Sequence, residues 1–116
     1  YGRGGGRDGL QRLDMVGAMH TGKEAMMRMA KGVVALPGGI GTFEELLEAI
    51  TWRELRLFDG NIAIYNVDGY FDPLISMLES AVERGFMRTD RRNLYRVVST
   101  AREAVEYALG VEPTAL

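Results

Sequence analysis

The stretch Val33-Val34-Ala35-Leu36-Pro37-Gly38-Gly39-Ile40-Gly41-Thr42-Phe43-Glu44-Glu45-Leu46-Leu47 decides the fold. Its first four residues are apolar without alternation, and turn signals flank them. Such a run suits a short strand covered on both faces, as in a parallel sheet. Pro37 and three glycines then interrupt the chain. From Thr42 to about Leu57 the pattern is that of an amphipathic helix, with Leu46, Leu47, Ile50 and Leu55 on its inner face.

The same alternation continues outward. Asn61 to Val67 reads as a second buried strand, and Asp68-Gly69 as a turn. Asp72-Pro73 is a helix start, an N-cap followed by proline, and that helix runs to about Arg84 with Gly85 as its stop. Tyr95 to Ser99 is a third strand. Thr100 opens a last helix, with Glu103 completing a capping box, which fades at Leu109-Gly110. Upstream, Gly22 to Lys31 has helical composition, and its methionines Met26, Met27 and Met29 suit core packing. The first nine residues hold five glycines and two arginines and read as loop. The expected organisation is a Gly-rich segment over 1–18, an α/β domain over 19–110 and a tail over 111–116. Strand, helix, strand, helix, strand, helix predicts parallel pairing with right-handed crossovers.

Composition narrows the functional classes. A chain of 116 residues, 47% of them hydrophobic, makes one domain with a real core. The formal net charge of −2 and the lack of a basic stripe argue against a general nucleic-acid binder. Without cysteine there is no disulfide, thiolate nucleophile or zinc ribbon, which fits a reducing cytosol. The single histidine, His20, cannot build a multi-histidine metal site. No apolar run reaches membrane-spanning length, and Tyr1-Gly2-Arg3-Gly4 lacks the apolar core of a signal peptide.

The chemistry concentrates at Pro37 to Thr42. Ligands of α/β sheets sit beyond the carboxyl ends of the strands, where this turn lies. Gly38, Gly39 and Gly41 permit positive φ and remove Cβ atoms that would block a ligand. The helix that follows offers unpaired N–H groups and a partial positive charge to an anion, and Thr42 adds a hydroxyl. The phosphate of a small nucleotide fits that description; a tight turn without ligand is the competing reading. The spacing is neither that of the dinucleotide fingerprint nor that of a Walker loop. Glu44 and Glu45 follow directly. Thr42 and Glu45 have capping-box spacing, which gives Glu45 a structural role. A carboxylate beside a bound sugar phosphate also stabilises an oxocarbenium-like centre or activates water, as in glycoside cleavage. Trp52 reads as core or dimer interface, Asp68 and Asp72 as turn and cap residues, and Arg88, Arg91 and Arg92 as a solvated cluster.

The string Pro37-Gly38-Gly39-Ile40-Gly41-Thr42-Phe43-Glu44-Glu45 resembles the Pro-Gly-Gly-x-Gly-Thr-x-x-Glu signature of the LONELY GUY family, cytokinin riboside 5′-monophosphate phosphoribohydrolases often labelled lysine decarboxylases. Thr51-Trp52 is similar to the family's Thr-Trp pair. Asn66-Val67-Asp68-Gly69-Tyr70-Phe71-Asp72 resembles its Asn-Val-Asp-Gly-Tyr-Tyr-Asp segment, Glu83-Arg84-Gly85-Phe86 its Glu-x-Gly-Phe, and Met19-His20 with Lys23 its Met-His-x-Arg-Lys. The resemblance spans roughly residues 19 to 109. It implies a Rossmann-like fold, usually a homodimer and cytoplasmic, that cleaves the N-glycosidic bond of a nucleoside 5′-monophosphate to free base and ribose 5-phosphate, with neither metal nor organic cofactor. It further implies that Gly39, Gly41 and Thr42 hold the phosphate within a substrate-binding set of Gly38, Gly39, Ile40, Gly41, Thr42, Phe43, Glu44, Thr51 and His20. Glu45 and Lys23 are the implied catalytic residues. Lysine decarboxylation itself wants a pyridoxal phosphate lysine in a larger scaffold, and neither Lys23 nor Lys31 has that context.

Two departures stand out. Gly22 falls where the family has a catalytic, phosphate-proximal arginine, whose guanidinium fork glycine cannot replace and Lys23 matches only as a different donor. Gly4 to Leu10 resembles the family's first glycine loop, yet only about eight residues separate it from Met19. The chain thus reads as N-terminally shortened, with its sheet truncated or completed by another chain. Two functions stay open: the phosphoribohydrolase, and a catalytically impaired nucleotide-binding or dimerisation module of the same fold.

Overall fold

The structure, a computed structural model, describes residues 13–16, 31–89 and 93–111. Its elements are β1 (Leu13–Val16), β2 (Gly32–Ala35), α1 (Ile40–Glu54), β3 (Asn61–Tyr65), a 3-10 turn (Val67–Gly69), α2 (Asp72–Glu83), β4 (Arg96–Val98) and α3 (Ala101–Leu109). The strands form one sheet in the order β1-β2-β3-β4, every neighbouring pair parallel. This is the α/β architecture that the alternation of strands and helices predicts. The helix expected over Gly22 to Lys31, with its methionines, falls almost wholly outside the described residues.

Strand alternation sorts the apolar side chains onto two faces. Val33, Ala35, Ile62 and Ile64 meet Leu46, Ala49 and Ile50 of α1, with Phe58, Phe71, Leu78 and Leu94. Val34, Ala63 and Val98 meet Ala104 and Ala108 of α3. Covered on both sides, β2 has no polar position, which is why its sequence does not alternate. Alanines let α3 lie close, and the approach is tightest at Gly32. A Cβ there would meet the Ala108 carbonyl oxygen at 1.8 Å.

Some expectations need correction. Within the segment expected to be loop, Leu13–Val16 is a strand, pairing from Leu13 with Gly32 to Val16 with Ala35. Its partner lies far along the chain, and the glycine-rich surroundings carry no sign of it. Helix α1 starts two residues earlier than expected and ends earlier too. Its inner face is Thr42, Leu46, Ala49, Ile50 and Arg53, whereas Leu47 and Leu55 are exposed. Arg53 is buried because backbone carbonyls surround it. Its Nε donates to Asn93 O at 2.6 Å, and Nη1 to Gly60 O at 2.6 Å and Asp59 O at 3.2 Å. These bonds tie the end of α1 to the start of β3 and the approach to β4, and they satisfy a charge that burial would otherwise penalise.

Candidate functional site

Because all strands are parallel, the segments that follow β2, β3 and β4 leave the sheet at one edge. The glycine turn after β2 leads straight into α1, whose N-cap is Gly39. The first helical bond runs from Phe43 N–H to Gly39 O at 3.0 Å. The amides of Ile40, Gly41 and Thr42 therefore lack acceptors within the helix, as at any helix start, and no N-cap side chain closes them. The capping box expected from Thr42 and Glu45 does not form. Thr42 is the third helical residue rather than the cap.

The three glycines of the turn serve different ends. None uses the positive φ that glycine permits; among the described residues the positive-φ glycines are Gly69, Gly85 and Gly110. At Gly38 a Cβ would lie 2.2 Å from Thr42 Oγ1, so packing demands glycine there. At Gly39 and Gly41 no described residue comes within 4 Å of the Cβ position. At Gly41, in the first turn of α1, neither a positive φ nor a contact among the described residues requires glycine, whereas the N-cap Gly39 sits at φ −109° and ψ −143°, outside the helical and extended regions. A ligand closing on the backbone at Gly41 would require glycine there.

Glu45 stands four residues beyond Gly41. Residues four apart on a helix are neighbours, with Cβ positions about 5–6 Å apart. Glu45, half-buried, thus stands one turn beyond Gly41 on the same side of the helix, while Glu44 is exposed. Phe43 packs its half-buried ring against the core, and Ile40 is 79% exposed beside the turn. Thr51 is not brought to the turn. It lies roughly 13 Å along the helix axis from Thr42 and donates its hydroxyl proton to Leu47 O at 2.8 Å. His20, Lys23 and Gly22 fall outside the described residues. Trp52 packs half-buried against the core, in line with the packing role expected of it.

The segment after β3 supplies a contact that its resemblance to the family did not single out. The Tyr70 hydroxyl donates to the carbonyl oxygen of Gly38. Asn66 shapes this segment: its Oδ1 accepts the Phe71 N–H at 2.7 Å and its Nδ2 donates to Asp72 Oδ1 at 2.8 Å. Asp72 is the first residue of α2, with Phe71 as N-cap. The available signal in the sequence is the Asp68-Gly69 turn directly before Tyr70.

Comparison with known proteins adds an independent line. A family model described as "Possible lysine decarboxylase" matches residues 4–108. A cytokinin riboside 5′-monophosphate phosphoribohydrolase of Arabidopsis thaliana is 45% identical over 91 residues, covering 78% of this chain and 42% of that protein. A rice protein (Oryza sativa subsp. japonica) of the same printed name is 46% identical over 90 residues, covering 78% of this chain and 37% of its own length. The chain thus spans about two fifths of the curated relatives it matches.

Proposed function

The chain belongs to the family described as possible lysine decarboxylase, and from that premise we propose that it binds a nucleoside 5′-monophosphate at the glycine turn and hydrolyses its N-glycosidic bond. The observation that carries the reading is Gly41, a glycine in the first turn of α1 without positive φ and with no described residue within 4 Å of where a side chain would stand. The relatives' printed activity supplies the substrate class. Of the two lysines a decarboxylase reading would need, Lys31 is at the opposite edge of the sheet, beside Asp59 and Gly60.

In this account the phosphate lies against the amides at the start of α1, where the helix dipole favours it. The sugar then lies over Gly41 and beside Glu45. As the bond from C1′ to the base breaks, positive charge grows on the ring, and the Glu45 carboxylate stabilises it. Water adds at C1′, giving its hydroxyl to the sugar and its proton to the departing base. The products are free base and ribose 5-phosphate. The homodimer and cytoplasmic location implied by the resemblance belong to the same proposal. Exposed apolar side chains support the former: Ile40 and Leu47 on α1, Leu55 at its C-cap, and Phe86 at 81% exposure.

Incubation of the purified chain with adenosine 5′-monophosphate and its N6-isopentenyl analogue, with chromatography of the free base, tests the proposal. Base release that disappears in Glu45→Gln supports it. Release that the substitution leaves intact removes Glu45 from the mechanism. Binding without release points to the impaired module, and gain of turnover in Gly22→Arg would then identify the missing arginine as the reason.

A further inference from the structure

We propose that Tyr70 is a positioning residue that sets the glycine turn for an incoming phosphate; this rests on the reading of the turn given above. Gly38 is held from two sides. Thr42 Oγ1 fills the place of its absent Cβ, and the Tyr70 hydroxyl donates to its carbonyl oxygen. In a trans peptide the carbonyl and the following N–H point in opposite directions within one plane. Fixing the Gly38 carbonyl therefore fixes the direction of the Gly39 N–H, the first amide on the way into α1.

Tyr70 is itself well anchored. Its ring meets Phe71 edge-on, with centroids 5.2 Å apart at 76°, and Phe71 is 1% exposed in the core. Asn66 accepts the Phe71 N–H, and its own N–H donates to Val98 O at 3.0 Å, tying the segment to the sheet. Asp68 and Gly69, at φ 51° and 72°, turn the chain back so that Tyr70 reaches a residue 32 positions earlier. The ring alone would suffice to line the apolar recess of about 380 Å³ that Tyr70 shares with Phe43, Phe71, Pro73 and Leu74. The hydroxyl is surplus to that recess and is committed to the turn.

Tyr70→Phe keeps the ring and removes the bond. Two readouts on the full chain decide the matter. Hydrogen exchange of the Phe43 amide, whose acceptor is Gly39 O, is expected to quicken about fivefold without ligand, the equivalent of one net hydrogen bond. The Kd for adenosine 5′-monophosphate is expected to rise by a similar factor of about five, while that for adenosine stays put. A tyrosine that only packs would move neither. Unchanged exchange overturns the proposal whatever the ligand does. If the wild-type chain binds the monophosphate no more tightly than adenosine, the phosphate reading fails, and exchange alone then decides whether Tyr70 holds the turn.

Discussion

Helices α1 and α3 leave the same edge of the same sheet, each directly after a parallel strand, and they begin in opposite ways. Helix α3 is closed by its own side chains. Thr100 Oγ1 accepts the Glu103 N–H at 3.1 Å, and Glu103 Oε1 accepts the Ser99 N–H at 3.2 Å. Helix α1 starts from Gly39 with no side-chain cap and carries glycine again at its second position. Both starts read Thr-x-x-Glu in sequence, at Thr42-Glu45 and at Thr100-Glu103, and only the second forms the box. A helix that merely has to begin satisfies its first amides internally. Helix α1 has no such side-chain closure at its N-cap, and the phosphate site proposed above uses that start.

The largest effect expected from breaking this contrast is on turnover. Glu45→Gln should lower base release by at least ~100-fold, the scale of a lost acid–base or charge-stabilising group, with circular dichroism unchanged. Next comes a glycine of the other kind. Gly32→Ala drives a methyl into the Ala108 carbonyl and should destabilise the chain by about 2–3 kcal/mol in urea titration. Thr100→Ala, which opens the closed helix, should cost about 1 kcal/mol and leave kcat/KM for the monophosphate where it was.

The smallest effect lies ahead of β4, at Tyr95. Burial, with Glu79 nearby, holds its hydroxyl above the ordinary 10.0. The folded state keeps that proton longer than the unfolded one. Its contribution to stability is therefore present below the ordinary value and lost as pH rises through the folded one. Tyr95→Phe should narrow the alkaline loss of stability above about pH 10 and change nothing at neutral pH. Thermal melts over that range read the difference.

These contrasts also mark what was legible in the chain. β2, β3 and β4 announce themselves as apolar runs between turn residues, and the Thr100 box and the Gly110 stop stand where local chemistry puts them. The start of α1 was misjudged because Ile40 and Gly41 have poor helical character, and the helix extends through them from Gly39. Arg53 gave no local sign of burial, since the carbonyls it meets lie six, seven and forty residues away. Tyr70 was visible only as part of a turn; its partner Gly38 belongs to another segment. Sequence periodicity reports faces and ends, whereas contacts between distant loops arise only when the sheet brings its edge together.

Whether the glycine at the second position of α1 serves a ligand or the fold is decided by Gly41→Ala. One substitution is expected to act with opposite signs on stability and on binding. The free protein should gain roughly 0.5–1 kcal/mol, because alanine suits a helix better than glycine and no described residue lies within 4 Å of the Cβ position. Binding of adenosine 5′-monophosphate should weaken at least about tenfold, a loss of ~1.4 kcal/mol. A variant that loses stability and binds the monophosphate as before would contradict the account.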